Sequence, residues 1–248
     1  MGIDYVIDLE CAPKEALGIE EIVNLVKAQS RAETVLAMAR QNGDNRPPSE
    51  ITFKVAINRN GEIETTDVSV QALFDQAAAL EGQRGACASC PANRDRPAGF
   101  GCYDSINYPI EPDTEAFLLS RLPDDLSSAS GYMFASAMRD FAWDGSPAAT
   151  MRSQGETFFR ARKPLTRKWP ELEVTSDQIF HMMFHVGHLQ STHSMLLCMF
   201  FGLVSLTEEE ETRANTTSPQ SQNAQQMIEV LNALAFAASE KLDVLIDG

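Results

Sequence analysis

Two thiols a turn apart, Cys87-Ala-Ser-Cys90, are followed by Pro91 and, after eleven intervening residues, by Cys102. A fourth cysteine, Cys11, follows the strand-like run Tyr5-Val-Ile-Asp-Leu-Glu10. A two-residue spacer lets both thiolates of one turn face the same ion, and a closed tetrahedral centre needs four soft ligands. Cys11, Cys87, Cys90 and Cys102 are therefore the expected ligands of a structural zinc ion. A 4Fe-4S cluster, which also takes four cysteinates, is the alternative. A redox pair at Cys87 and Cys90 is a third reading, but a reactive thiol is usually activated at a helix N-terminus and no strand precedes this segment. Cys198 lies in an apolar helical pattern and is read as buried core.

All four histidines fall within thirteen residues: His181, His185, His188 and His193. On one continuous helix the first three would lie within about 60° of one another. His181, His185 and His188, with a carboxylate from elsewhere, would then make a second metal site, and with it a metalloenzyme. No HExxH pattern is present, and a polar stripe opposite an apolar arc is the structural alternative.

Arg152, Arg160, Arg162, Lys163, Arg167 and Lys168 form a basic island with only Glu156 among them, a local balance of +5 over residues 152–168. Such a patch attracts an acidic or phosphate-bearing partner within a Debye length, or pairs with the chain's own carboxylates. The whole chain carries −15 at pH 7, which opposes attraction to nucleic acid and to anionic membrane surfaces. The longest apolar stretch is too short to cross a bilayer. Met1-Gly-Ile-Asp4 has neither the basic start nor the apolar core of a secretory signal, and five cysteines then suggest a reducing, cytoplasmic setting. Phosphate-loop, dinucleotide, nucleophile-elbow and kinase patterns are all missing.

The elements that would position these groups follow from periodicity. Residues 3–9 read as a strand and 18–42 as a helix with Ile22, Leu25, Ala32, Val35 and Leu36 on its apolar side. Ile51, Phe53, Val55 and Ile57 alternate, Asn60-Gly61 suits a type I′ turn, and Ile63, Val68 and Val70 return, which predicts a hairpin. A helix over 70–80 leads into residues 82–112, where Gly and Pro recur and an irregular cysteine-rich loop is expected. Helices are predicted at 113–121, 128–142, 151–162, 176–205 and 219–246. Thr175-Ser-Asp-Gln178 reads as a capping box and Ser218-Pro219 as a helix start. Residues 207–223 suit a surface loop. The small-residue stripe Gly187, Ser191, Ser194 and Cys198 invites close packing by the last helix.

The expected fold is α+β and predominantly helical, with a small N-terminal sheet containing the hairpin. A single compact domain over 1–248 is the simplest organisation, and a split near residue 110 is the fallback. The functional expectation is a metal-binding protein with an interaction or regulatory role, with a protein partner or homo-oligomer as its company.

Overall fold

The computed structural model describes residues 2–59, 62–93, 99–204 and 221–247. Helices and small antiparallel sheets are mixed along the chain, which divides into two compact units, Glu10–Gly101 and the combination of Met1–Leu9 with Cys102–Gly248. The first strand, β1 (Gly2–Asp8), belongs to the second of these.

Unit Glu10–Gly101 begins with the short helix α1 (Ala12–Leu17) and the long α2 (Ile19–Gln41). The apolar period of α2 buries Ile22, Leu25, Ala28 and Ala32. Two strands follow, β2 (Thr52–Arg59) and β3 (Glu62–Ser69), paired so that Phe53 faces Val68 and Lys54 faces Asp67. The Asn60-Gly61 turn lies outside the described residues. Helix α3 (Val70–Ala77) starts where the Ser69 hydroxyl accepts the Ala72 N–H, satisfying one of the amides that a helix start leaves unpaired. Val70 and Leu73 then meet Ala28, Ala32 and Ile51 in one cluster, with Phe53 and Val68 packed on it. A 3₁₀ stretch (Ala78–Gln83) and the four-residue α4 (Arg84–Cys87) come next, then a second 3₁₀ turn at Pro91–Asn93. The cysteine segment thus contains short helical turns where an irregular loop was expected.

The other unit is built on a four-stranded antiparallel sheet of order β4-β1-β8-β7. Here β4 is Tyr103–Asn107, β7 is His188–Leu189 and β8 is Asp243–Asp247. Strand β1 pairs with β4 on one side and with β8 on the other, so both ends of the chain supply neighbouring strands. Around this sheet lie α5 (Pro112–Arg121), α6 (Ala129–Asp140), α7 (Ser146–Ser153), α8 (Ser176–Phe184), α9 (Ser191–Phe200) and α10 (Gln222–Glu240). A two-stranded pair, β5 (Thr166–Lys168) and β6 (Glu173–Thr175), precedes α8. Tyr5, Ile7, Ile106, Leu118, Phe134, Phe180 and Phe201 are fully buried. Each contributes about 1.5–3 kcal/mol in removing apolar surface from water.

Three expectations change here. The single helix over 176–205 is two helices, because the chain turns at His185–Gln190. Gly187 there takes φ +69° and its carbonyl accepts the Ile246 N–H, so β7 adds to the sheet edge. The last helix stops at Glu240: Lys241 adopts a left-handed conformation and residues 243–247 become β8. Leu245, which falls inside the helix expected over 219–246, therefore belongs to a strand. The helix expected at 151–162 ends at Ser153, and Phe158 and Arg160 instead exchange backbone hydrogen bonds with Ile110. The capping box at Thr175 is present in full, with Gln178 N–H on Thr175 Oγ1 at 3.3 Å and Thr175 N–H on Gln178 Oε1 at 2.9 Å. Ser218-Pro219 and residues 207–220 of the expected loop lie outside the described residues.

Candidate functional site

The cysteine segment is organised around Cys87, the last residue of α4. Its side chain is buried among Ile22, Leu25, Ala77, Leu80 and Phe100. Two consecutive left-handed residues, Gly99 at φ +81° and Phe100 at φ +58°, bend the chain back over it. Glycine is needed at 99, since an added Cβ would stand 3.2 Å from Cys87 Cβ and the backbone itself favours no side chain. Phenylalanine at 100 costs about 1 kcal/mol in this conformation. The Phe100 amide lies beside the Cys87 sulfur and favours its thiolate. A hydrogen bond from Gly101 N–H to Asn93 Oδ1 at 2.7 Å closes the same turn, and a Cβ at Gly101 would overlap the Asn93 carbonyl oxygen.

Burial pushes the Cys87 thiol up from its ordinary range. The Phe100 amide opposes that, while Cys90 and Cys11 push the same way as burial and Arg84 pulls back. Cys90 and Cys11, both in unit Glu10–Gly101, are thus each within electrostatic reach of Cys87. Cys90 N–H donates to the Cys87 carbonyl at 3.1 Å, the tight turn that the CxxC spacing implies. Cys11 stands at the N-cap of α1 and is half-buried, as is Cys90. Cys102 is the first residue of the other unit's long segment, buried, with its carbonyl accepting the Ile7 N–H at 2.9 Å. None of the five cysteines, all of them described, is in a disulfide. Among the described residues no group of three or more His, Cys, Asp or Glu converges closely enough to hold a metal ion as the side chains stand.

The redox reading finds little support in this geometry. Cys87 ends a helix, where the peptide dipole disfavours a thiolate, and its thiol is raised. Cys198, in α9, is fully buried and pushed up to about 12 by burial.

The break at His185–Gln190 separates the histidines. His181 and His185 remain neighbours with ring centroids 5.7 Å apart. His188 has left the helix for β7, where its Nε2 meets Asp243 Oδ2 at 2.9 Å. His193 is exposed on α9. Loss of hydration lowers His185, a hydrogen bond with the Phe180 backbone acts the other way, and His181 adds to the lowering. No common face of His181, His185 and His188 exists.

The basic island is largely consumed by the fold. Arg152 is buried between Glu115 (2.8 Å) and Asp177 (2.6 Å), and Ser176 Oγ donates to the same Glu115 carboxylate. Arg167 donates to the Leu119 and Leu122 carbonyls at 2.6 and 2.9 Å and to Asp124 at 2.6 Å. It thereby covers the C-terminal end of α5 with a positive charge. Arg160 pairs with Glu111 and Glu156, and Lys168 with Glu173. Arg162 and Lys163 are exposed. Trp169 donates Nε1–H to the Pro123 carbonyl and Phe159 lies under Arg152, so both serve packing.

Sequence reasoning passed over Phe100 as the amide donor to Cys87. The signal was the flanking pair Gly99 and Gly101, which marks a backbone conformation that side chains disfavour. Among the described residues no helix is long and apolar enough to cross a membrane. No family model matches the chain, and no curated protein or solved structure matches it.

Proposed function

We propose that this is a metal-binding protein in which Cys11, Cys87 and Cys90 hold a structural zinc ion, serving an interaction or regulatory role. One observation carries the reading: the left-handed turn at Gly99 and Phe100 sets a backbone amide beside the Cys87 sulfur, on which Cys90 and Cys11 also act electrostatically. Amide donors to a ligand sulfur are the usual outer support of thiolate centres. The spread of the side chains has a physical cause. Protonated thiols have no charge to gather around, whereas an ion that displaces their protons draws the sulfurs in. Cys11 and Cys90 are half-buried, whereas Cys87 is already seated in the core. The role drawn for the ion is to hold the segment after α4 in shape.

Elemental analysis of protein purified under reducing conditions is the test. About one zinc per chain is expected, reduced to background in Cys87→Ser and Cys90→Ser, lowered in Cys11→Ser and unchanged in Cys198→Ala. The same measurement on Cys102→Ser tests the fourth ligand: loss completes a four-thiolate set, and retention assigns that position to another side chain of the protein. Loading the metal-free protein at neutral pH should release protons, because Cys87 is raised and enters the reaction as a thiol. Affinity should accordingly climb as pH rises. Wild-type protein carrying metal only at background, before and after reconstitution, would end the proposal. A brown anaerobic preparation absorbing near 400 nm would instead assign the site to a 4Fe-4S cluster.

A further inference from the structure

Helix α6 ends in a turn that displays aromatic rings where a soluble surface normally shows polar ones. Phe141 caps the helix and is 68% exposed. The next residue, Ala142, is left-handed at φ +48°, a position that glycine usually fills at helix ends. Trp143 follows, its ring 5.9 Å from that of Phe141 at a 31° tilt. Trp143 in turn meets His181 edge-on at 5.0 Å, and His181 meets His185 at 5.7 Å. Four rings therefore run in a row from the end of α6 onto α8.

The row is held rigidly. Gln178 Nε2–H donates to the Trp143 carbonyl at 2.7 Å. Gly145, at φ +73°, lets the turn lie against α8, where a Cβ would come within 2.9 Å of the Gln178 nitrogen. The left-handed Ala142 and the close approach at Gly145 thus define a turn on which Phe141 stands exposed.

Charge indicates the occupant. Asp140 and Asp144 bracket Phe141 and Trp143 in sequence and both are exposed; Asp144 Oδ1 also lies 3.4 Å from His181 Nδ1. Asp144 is held below the usual carboxylate range by the Ser146 N–H, so it stays ionised. Arg139 directs its Nε–H back to the Ala135 carbonyl of its own helix. Aromatic rings on a turn that also carries two exposed carboxylates, on a chain of charge −15, attract a guanidinium or ammonium group through the ring quadrupole. We propose that Phe141 and Trp143, flanked by Asp140 and Asp144, form a docking surface for an arginine-bearing basic segment of a partner protein. This surface is independent of the cysteine site.

A fluorescein-labelled oligoarginine peptide is the probe, read by anisotropy against the full chain at physiological salt. Because an acidic protein attracts any basic peptide, the deciding variants leave net charge unchanged. Phe141→Ala should weaken binding about fivefold, and Trp143→Ala at least as much. Phe141→Tyr, which keeps the ring, should bind like wild type. Phe141 is mostly in water, so Phe141→Ala should melt with the parent. Affinity unchanged by Phe141→Ala and Trp143→Ala would overturn the assignment, as would equal binding of a neutral peptide of the same length.

Discussion

Arg152 brings a full charge to a place where two carboxylates are already shielded from water. Its guanidinium and the side chains of Glu115 and Asp177 are each 5% exposed or less. Five donor contacts to the carboxylates, together with the Ala161 carbonyl at 2.8 Å, satisfy the fork. The group ties α5, α7 and α8 together, because Glu115 lies on the first, Arg152 on the second and Asp177 on the third. Removing only the cation leaves two buried anions with no counter-charge, which costs far more than the triad itself contributes. Arg152→Ala should therefore lose about 3–5 kcal/mol of stability in denaturant titration. A loss under about 1 kcal/mol would mean that water reaches Glu115 and Asp177 readily. The same residue explains why a +5 segment need not be a binding patch: a run of positive charge in sequence says nothing about which carboxylates the fold will bring to it.

The helices break and turn where backbone geometry is most demanding. Gly145 and Gly187 both take positive φ, at 73° and 69°, but their surroundings differ. A Cβ at Gly187 would meet nothing within 4 Å, whereas one at Gly145 would press on the Gln178 nitrogen and Asp177 carbonyl carbon at 2.9 and 3.0 Å. Gly187→Ala should cost about 1 kcal/mol, the price of the left-handed conformation alone. Gly145→Ala should cost about 2–4 kcal/mol, since backbone must also shift. Equal melting temperatures for the two variants would show that the close approach of the 141–145 turn to α8 is unimportant. Helix packing follows a similar logic. Ser194 and Cys198 on α9 and Ala233 and Ala237 on α10 are buried small residues on two helices that pack against each other, as the stripe of small side chains predicted. Gly187, counted in that stripe, lies outside α9 and serves the turn instead.

Within the unit formed by Met1–Leu9 and Cys102–Gly248, the sheet is closed by the last strand. β8 stands between β1 and β7, so its N–H and C=O groups are used on both sides, and Val244 and Ile246 are buried. Deleting residues 243–247 would leave β1 with an open edge and strand β7 without its partner. The shortened chain should lose the cooperative melting of this unit and become protease-sensitive in β1, β4 and α10. A truncated protein that melts with the parent would show that the pairing of the two chain ends is dispensable.

Residue order alone was enough for whatever depends on near neighbours. The 3.6-residue period placed α2, α5 and α6 within a residue or two, the alternation from Ile51 onward matched strands β2 and β3, and Thr175 with Gln178 marked the start of α8. The CxxC spacing likewise told that Cys87 and Cys90 share a turn. Distance in sequence hid the rest. His185–Gln190 and residues 243–247 carry apolar spacings compatible with helix; each left that conformation because β7 and β8 found hydrogen-bond partners in one another, and β8 found more in β1, some 240 residues away by number. Arg152 was indistinguishable from its neighbours until Glu115 and Asp177 closed on it. Local patterns encode which conformation a segment prefers; pairing across the chain is set by the free energy of burying polar groups together, and no window of neighbouring residues contains both partners.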